Sequence, residues 1–123
     1  MIATDFRRIA LGMKDATEGA HMDHPDFRVG NRIFATLRHD EQVGMVALTP
    51  EQQAAFIRDH PDAFAPESGA WGRAGAAQVT LSAVDEEALG EALTLAWQNR
   101  VSKTAASKTR KRSAERTTGR RNR

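Results

Sequence analysis

Four residues able to bind a metal crowd into one short stretch of this 123-residue chain: His21, Asp23, His24 and Asp26. Imidazole and carboxylate donors of this kind suit zinc or iron. The stretch begins in a short strand and runs into Pro25, however, and successive strand residues point to opposite faces. The pattern therefore predicts a polar strand end and a turn, with no metal site.

Other chemistries find less support. His-Pro-Asp stands at 24–26 and again at 60–62. This tripeptide also marks the Hsp70-stimulating loop of J-domains, but there it follows a basic helix. Here residues 51–59 carry Arg58 as their only base, and both copies read as turns in which Pro stops an element. Ser68 and Ser82 have no neighbouring base and acid to make either a nucleophile. Gly69, Gly72 and Gly75 lack the Lys-Ser/Thr partner and the following helix of a phosphate loop. The sequence predicts a non-enzyme with no cofactor. Two tryptophans remain: Trp97 falls on an apolar helix stripe and belongs to the core. Trp71, in a glycine-rich loop beside Arg73, suits either loop packing or base stacking.

Basic residues are the stronger signal. Arg28, Arg32, Arg38 and Arg73 lie on or beside two candidate hairpins, where side chains could meet phosphates without reading sequence. A larger asymmetry sits at the C-terminus. Lys103, Lys108, Arg110, Lys111, Arg112, Arg116, Arg120, Arg121 and Arg123 face the single acid Glu115, giving +8 over residues 102–123. The whole chain is +2, so residues 1–101 carry −6. Residues 102–123 contain no Val, Ile, Leu, Met or aromatic residue. Such a segment has nothing to bury against its ordering entropy, so a disordered basic tail is predicted there. Basic tails are common nucleic-acid arms.

The elements that position these residues follow from spacing. Thr4 or Asp5 can cap a helix whose stripe is Phe6, Ile9, Ala10 and Met13. Glu18 to Met22 is a short strand. Strands around Phe27-Arg28-Val29 and 32–37 flank Gly30-Asn31, a tight-turn signal. With Val29 opposite Arg32, Phe27 would face Phe34. Val43 to Leu48 adds a third strand of this meander. Thr49-Pro50-Glu51-Gln52 combines a cap, Pro at the first helical position and a capping-box Gln, opening a helix that runs to about His60. Ala63 to Pro66 reads as extended and 67–75 as a loop. Ala77, Val79 and Leu81 alternate with polar residues in a strand with one wet face. Asp85 then caps a helix whose buried side is Leu89, Ala92, Leu93, Ala96, Trp97 and Arg100. This is an α+β domain over residues 1–101, an antiparallel sheet with helices packed on one face. No cysteine is present, no apolar run could span a bilayer, and charges interrupt the N-terminus before a signal-peptide core forms. A cytoplasmic monomer without membrane contact is expected.

The hairpin 27–37, the segment Gly69-Ala70-Trp71-Gly72-Arg73 before a strand, and the acid-started helix ending at Trp97 together resemble the MmcQ/YjbR-like proteins over about residues 4–101. The resemblance implies a fold like that of frataxin and CyaY, a double wing, and DNA binding. The expected function is thus a small, non-enzymatic DNA-binding protein of low specificity. Its nucleic-acid contacts would come from Arg28, Arg32 and Arg73 and from the nine tail bases. The alternative is a protein-interaction or iron-handling module using the acidic body. A small-molecule enzyme built on the loop near Trp71 is a third, more distant reading.

Overall fold

A computed structural model describes residues 1–21, 24–38 and 40–117, with side chains described to Ser102 except that of His21. Helix α1 (Ala3–Leu11) starts earlier than either predicted cap. Ile2 is the cap residue, and the Asp5 carboxylate accepts its N–H at 2.9 Å from inside the first turn. Phe6 and Ala10 are buried, with Ile9 and Met13 packed at the margin of the core.

Strands β1 (Thr17–His21), β2 (His24–Val29), β3 (Arg32–Leu37) and β4 (Val43–Val46) form the expected meander. Gly30 and Asn31 have φ of 57° and 64°. Two successive positive φ values are what a tight hairpin turn between right-twisted strands demands. Val29 faces Arg32 as predicted, but the register then shifts between Phe27 and Arg28, so Phe27 lies opposite Ala35 and not Phe34. Phe34 is the extra residue of a β-bulge, which lets Phe34 and Ala35 both enter the core. The aromatic partner of Phe27 is instead Phe6, with ring centroids 5.7 Å apart.

Helix α2 (Pro50–Asp59) has the predicted box: Gln52 N–H donates to Thr49 Oγ1 at 3.1 Å, and Thr49 N–H donates to Gln52 Oε1 at 2.9 Å. Strand β5 (Phe64–Pro66) follows, then a short helix α3 (Gly69–Arg73) where the sequence predicts a loop. Local propensity disfavours a helix holding two glycines, and tertiary contacts overrule it. The Gln53 side-chain amide donates to Gly72 O at 2.9 Å and to Ala76 O at 2.7 Å. Gly72 lies so close to the Glu67 carbonyl that a Cβ would collide with it.

Strand β6 (Ala77–Thr80) enters between β4 and β5, giving an antiparallel six-stranded sheet in the order β1-β2-β3-β4-β6-β5. Helix α4 (Glu86–Thr117) opens with Asp85 Oδ1 accepting Ala88 N–H at 2.7 Å. It packs on β2, β3 and β4 and against α1. The core lies between these helices and one sheet face, where Phe6, Phe27, Phe34, Leu37, Leu89 and Leu93 are fully buried. Burying each such side chain contributes about 1.5–3 kcal/mol. Asn99 ties α4 to α2, its amide donating to Ala47 O at 3.0 Å and to Gln52 Oε1 at 2.8 Å.

Packing against the core reaches Trp97 and Val101, but the α4 backbone stays helical to Thr117. The sequence predicts disorder from Ser102. Ala105, Ala106, Ala114 and the Lys and Arg residues are good helix formers, and no Gly or Pro interrupts them before Gly119. Residues 118–123 lie outside the described residues. Among the described residues no helix is long and apolar enough to cross a membrane.

Candidate nucleic-acid interface

One row of cross-strand neighbours, Gly19, Asp26, Thr36, Met45, Gln78 and Ala65, spans all six strands. Paired residues share a face, and this one lies opposite the helices α1 and α4. Second in the row, on β2, is a charged residue with no exposed surface, Asp26. Arg28 stands two residues along the same strand and therefore on the same face. Its Nε donates to Asp26 Oδ1 at 2.9 Å and its Nη2 to Oδ2 at 3.0 Å. This two-pronged bond makes the carboxylate tolerable out of water, and through the bond and the opposite charge the Arg28 guanidinium holds its proton more tightly. Arg28 is thus engaged within the sheet, whereas the sequence assigns it to phosphate. Asp26 is correspondingly engaged as an anion partner, and among the described residues no group of three His, Asp or Glu could hold a metal. Asp23 and the His21 side chain fall outside the described residues.

Beside this pair the open face forms a groove of about 560 Å3, lined among others by His24, Ile33, Arg38, Met45, Glu67 and Trp71. Trp71 is 48% exposed on α3. Its backbone is nonetheless held, with Trp71 O accepting Ala76 N–H at 2.9 Å beside the Gln53 contacts. Two further clefts adjoin it. One, of about 260 Å3, lies between Ala47, Leu48, α3 and Arg100; the other, of about 370 Å3, is lined by Asn31, Arg32, Ile33, Trp71 and Arg100. Arg32 sits exposed at the β2–β3 turn. Arg100 reaches it from α4, its Nε donating to Ile33 O at 2.8 Å. Burial, and then the like charge of Arg32, hold the Arg100 guanidinium below its ordinary pKa.

The predicted site residues therefore divide. Arg32 joins the Trp71 cleft, Arg38 lines the larger groove, and Arg73 is exposed at the end of α3. Lys103, Lys108, Arg110, Lys111, Arg112 and Arg116 lie on the helical backbone of α4, their side chains outside the description. Arg120, Arg121 and Arg123 lie outside the described residues. Sequence reasoning placed Arg100 on the buried side of α4 and missed its guanidinium at the cleft. The signal was a base closing an otherwise apolar stripe. Trp97 is half-buried, its Nε1 donating to Lys14 O at 3.0 Å, so it clips the loop after α1 to α4.

Such a sheet, with α1 and α4 on one side and a grooved open face on the other, defines a two-layer α+β domain of the kind the sequence implies. The YjbR family model matches residues 11–99, and the chain belongs to that family. A crystal structure of the Deinococcus radiodurans protein DR2400, with family-model domain DUF419, is similar at a TM-score of 0.64 and 25% identity, covering 75% of this chain and 72% of that one. No curated protein matches the chain.

Proposed function

We propose that this chain is a non-enzymatic, low-specificity nucleic-acid-binding protein, with DNA as its partner. The observation that carries the reading is the separation of charge along one element. Helix α4 is packed at one end into a body of −6, and its residues 102–117, past the last core contact at Val101, carry +5 of the +8 segment. At about 1.5 Å per residue, its 32 residues span about 48 Å. An acidic body repels phosphates unless a basic arm reaches them first. Arg32 and Arg73, exposed on the body, add orientation more than affinity.

The test is duplex binding across a salt series. With five or six phosphates neutralised, the slope of log affinity against log salt is expected at about −4.5 to −5.5. A chain ending at Val101 keeps its melting temperature within a few degrees and loses most of that slope. Arg32→Ala and Arg73→Ala each cost under about 1 kcal/mol on duplex. Unchanged duplex binding by the shortened chain removes the arm from the reading, and absence of binding by the full chain at low salt removes nucleic acid.

A further inference from the structure

Trp71 borders each of the three clefts described above, and Arg100 borders two of them. A large aromatic side chain left half-exposed on a backbone held by the Ala76 and Gln53 hydrogen bonds is a fixed platform. Beside it stand two guanidiniums, that of Arg32 on the hairpin turn and that of Arg100, tied to the hairpin through Ile33 O. The exposed Arg32 guanidinium at the mouth of a cleft attracts an anion, and an indole face attracts a flat π-system. One ligand class carries both features on a single unit: a nucleotide.

We propose that the cleft lined by Trp71 and Arg32 is a single-strand nucleotide site, an unpaired base stacking on the Trp71 indole while its phosphate lies against the Arg32 guanidinium. The clefts of about 260 and 370 Å3 meeting at Trp71 suit one base with its sugar-phosphate. Paired bases are already stacked within a duplex and cannot offer a face to the indole, so the site selects unpaired nucleotides. Stacking tolerates any base, in keeping with low specificity. The proposal rests on the nucleic-acid reading and adds a body-borne site to the arm.

The full chain should be titrated with labelled oligothymidylate of about eight nucleotides and with a duplex of equal length, each also for Trp71→Ala, Trp71→Phe and Arg32→Ala. Melting curves check that each variant is folded. Trp71→Ala is expected to weaken single-strand binding at least fivefold or so while duplex binding stays within about twofold. Trp71→Phe, which keeps an aromatic face, should restore most of the loss. Arg32→Ala should weaken single-strand binding by about two- to fivefold. If duplex and single strand bind normally and neither responds to Trp71→Ala, the stacking site is overturned and the arm-based reading stands. Equal losses on both substrates overturn it as well. Competition by polyglutamate as effective as by unlabelled oligothymidylate shows a general anion surface, or an acidic peptide site, and overturns it too. If the full chain binds neither nucleic acid at low salt, both readings fall together.

Discussion

The two faces of the sheet keep water out by different means. On the helix side, Phe27, Phe34, Leu37, Val46 and Val79 meet Phe6, Leu89 and Leu93, and shape with apolar area does the work. On the open side Asp26, the one fully buried charged side chain among the described residues, is paired with Arg28. The first face is specified many times over, since each contact is backed by several neighbours. The second depends on one paired bond between residues two apart. The open face can therefore vary around its groove without dismantling the fold, which is the freedom a binding surface needs.

Three substitutions probe this contrast, in descending order of effect. Phe34→Ala, removing the bulged ring from the covered face, should destabilise by about 3–5 kcal/mol in denaturant unfolding. A much smaller loss would mean that the bulge relaxes and the covered face is less specified than its packing indicates. Trp97→Ala, at the margin of that face, should cost about 2 kcal/mol from partial burial and the bond to Lys14 O. A near-neutral result would shift Trp97 from clip to surface. Arg28→Ala on the open face should lower the melting temperature less than either, because losing the guanidinium also opens the Asp26 carboxylate to water in the groove it lines. Adding Asp26→Ala should recover part of the loss, because the orphaned carboxylate is then gone. Additive losses would show that the two residues act separately and that the pair does not hold this face.

Features set by neighbours in the chain were legible in the sequence. Thr49, Pro50 and Gln52 specify the start of α2 within four residues, Asp85 does the same for α4, and Gly30-Asn31 encodes its turn. The meander of β2, β3 and β4 and the helical stripes followed from short connections and periodicity, whereas the place of β6 between β4 and β5 did not. What escaped depends on partners distant in sequence. The bulge at Phe34 serves a core assembled from α1 and α4, and shifted a register that the turn alone seemed to settle. Helix α3 exists because Gln53, some twenty positions upstream, donates its side-chain amide to the carbonyls at its end. Asp26 was weighed as a ligand among nearby histidines, although the Asp-x-Arg spacing on a strand already put Arg28 on its side. Arg100 carried a place on a helix stripe but no hint that Ile33 O would hold its guanidinium at the cleft.

One helix serves as both core and arm, and this changes the thermodynamics of the arm. An isolated helix must first form a costly nucleus, with a nucleation constant on the order of 0.001. For residues beyond Val101 the packed half of α4 is that nucleus, so each further turn is only propagation. What opposes propagation is self-repulsion, since Lys108, Arg112 and Arg116 recur every four residues and like charges at that spacing destabilise a helix by a few tenths of a kcal/mol per pair. Counterions or phosphates that neutralise them shift the balance toward winding. The length of the arm's helix is thereby linked to its ionic surroundings, and under the proposed function polyanion binding and helix growth would form a single coupled equilibrium.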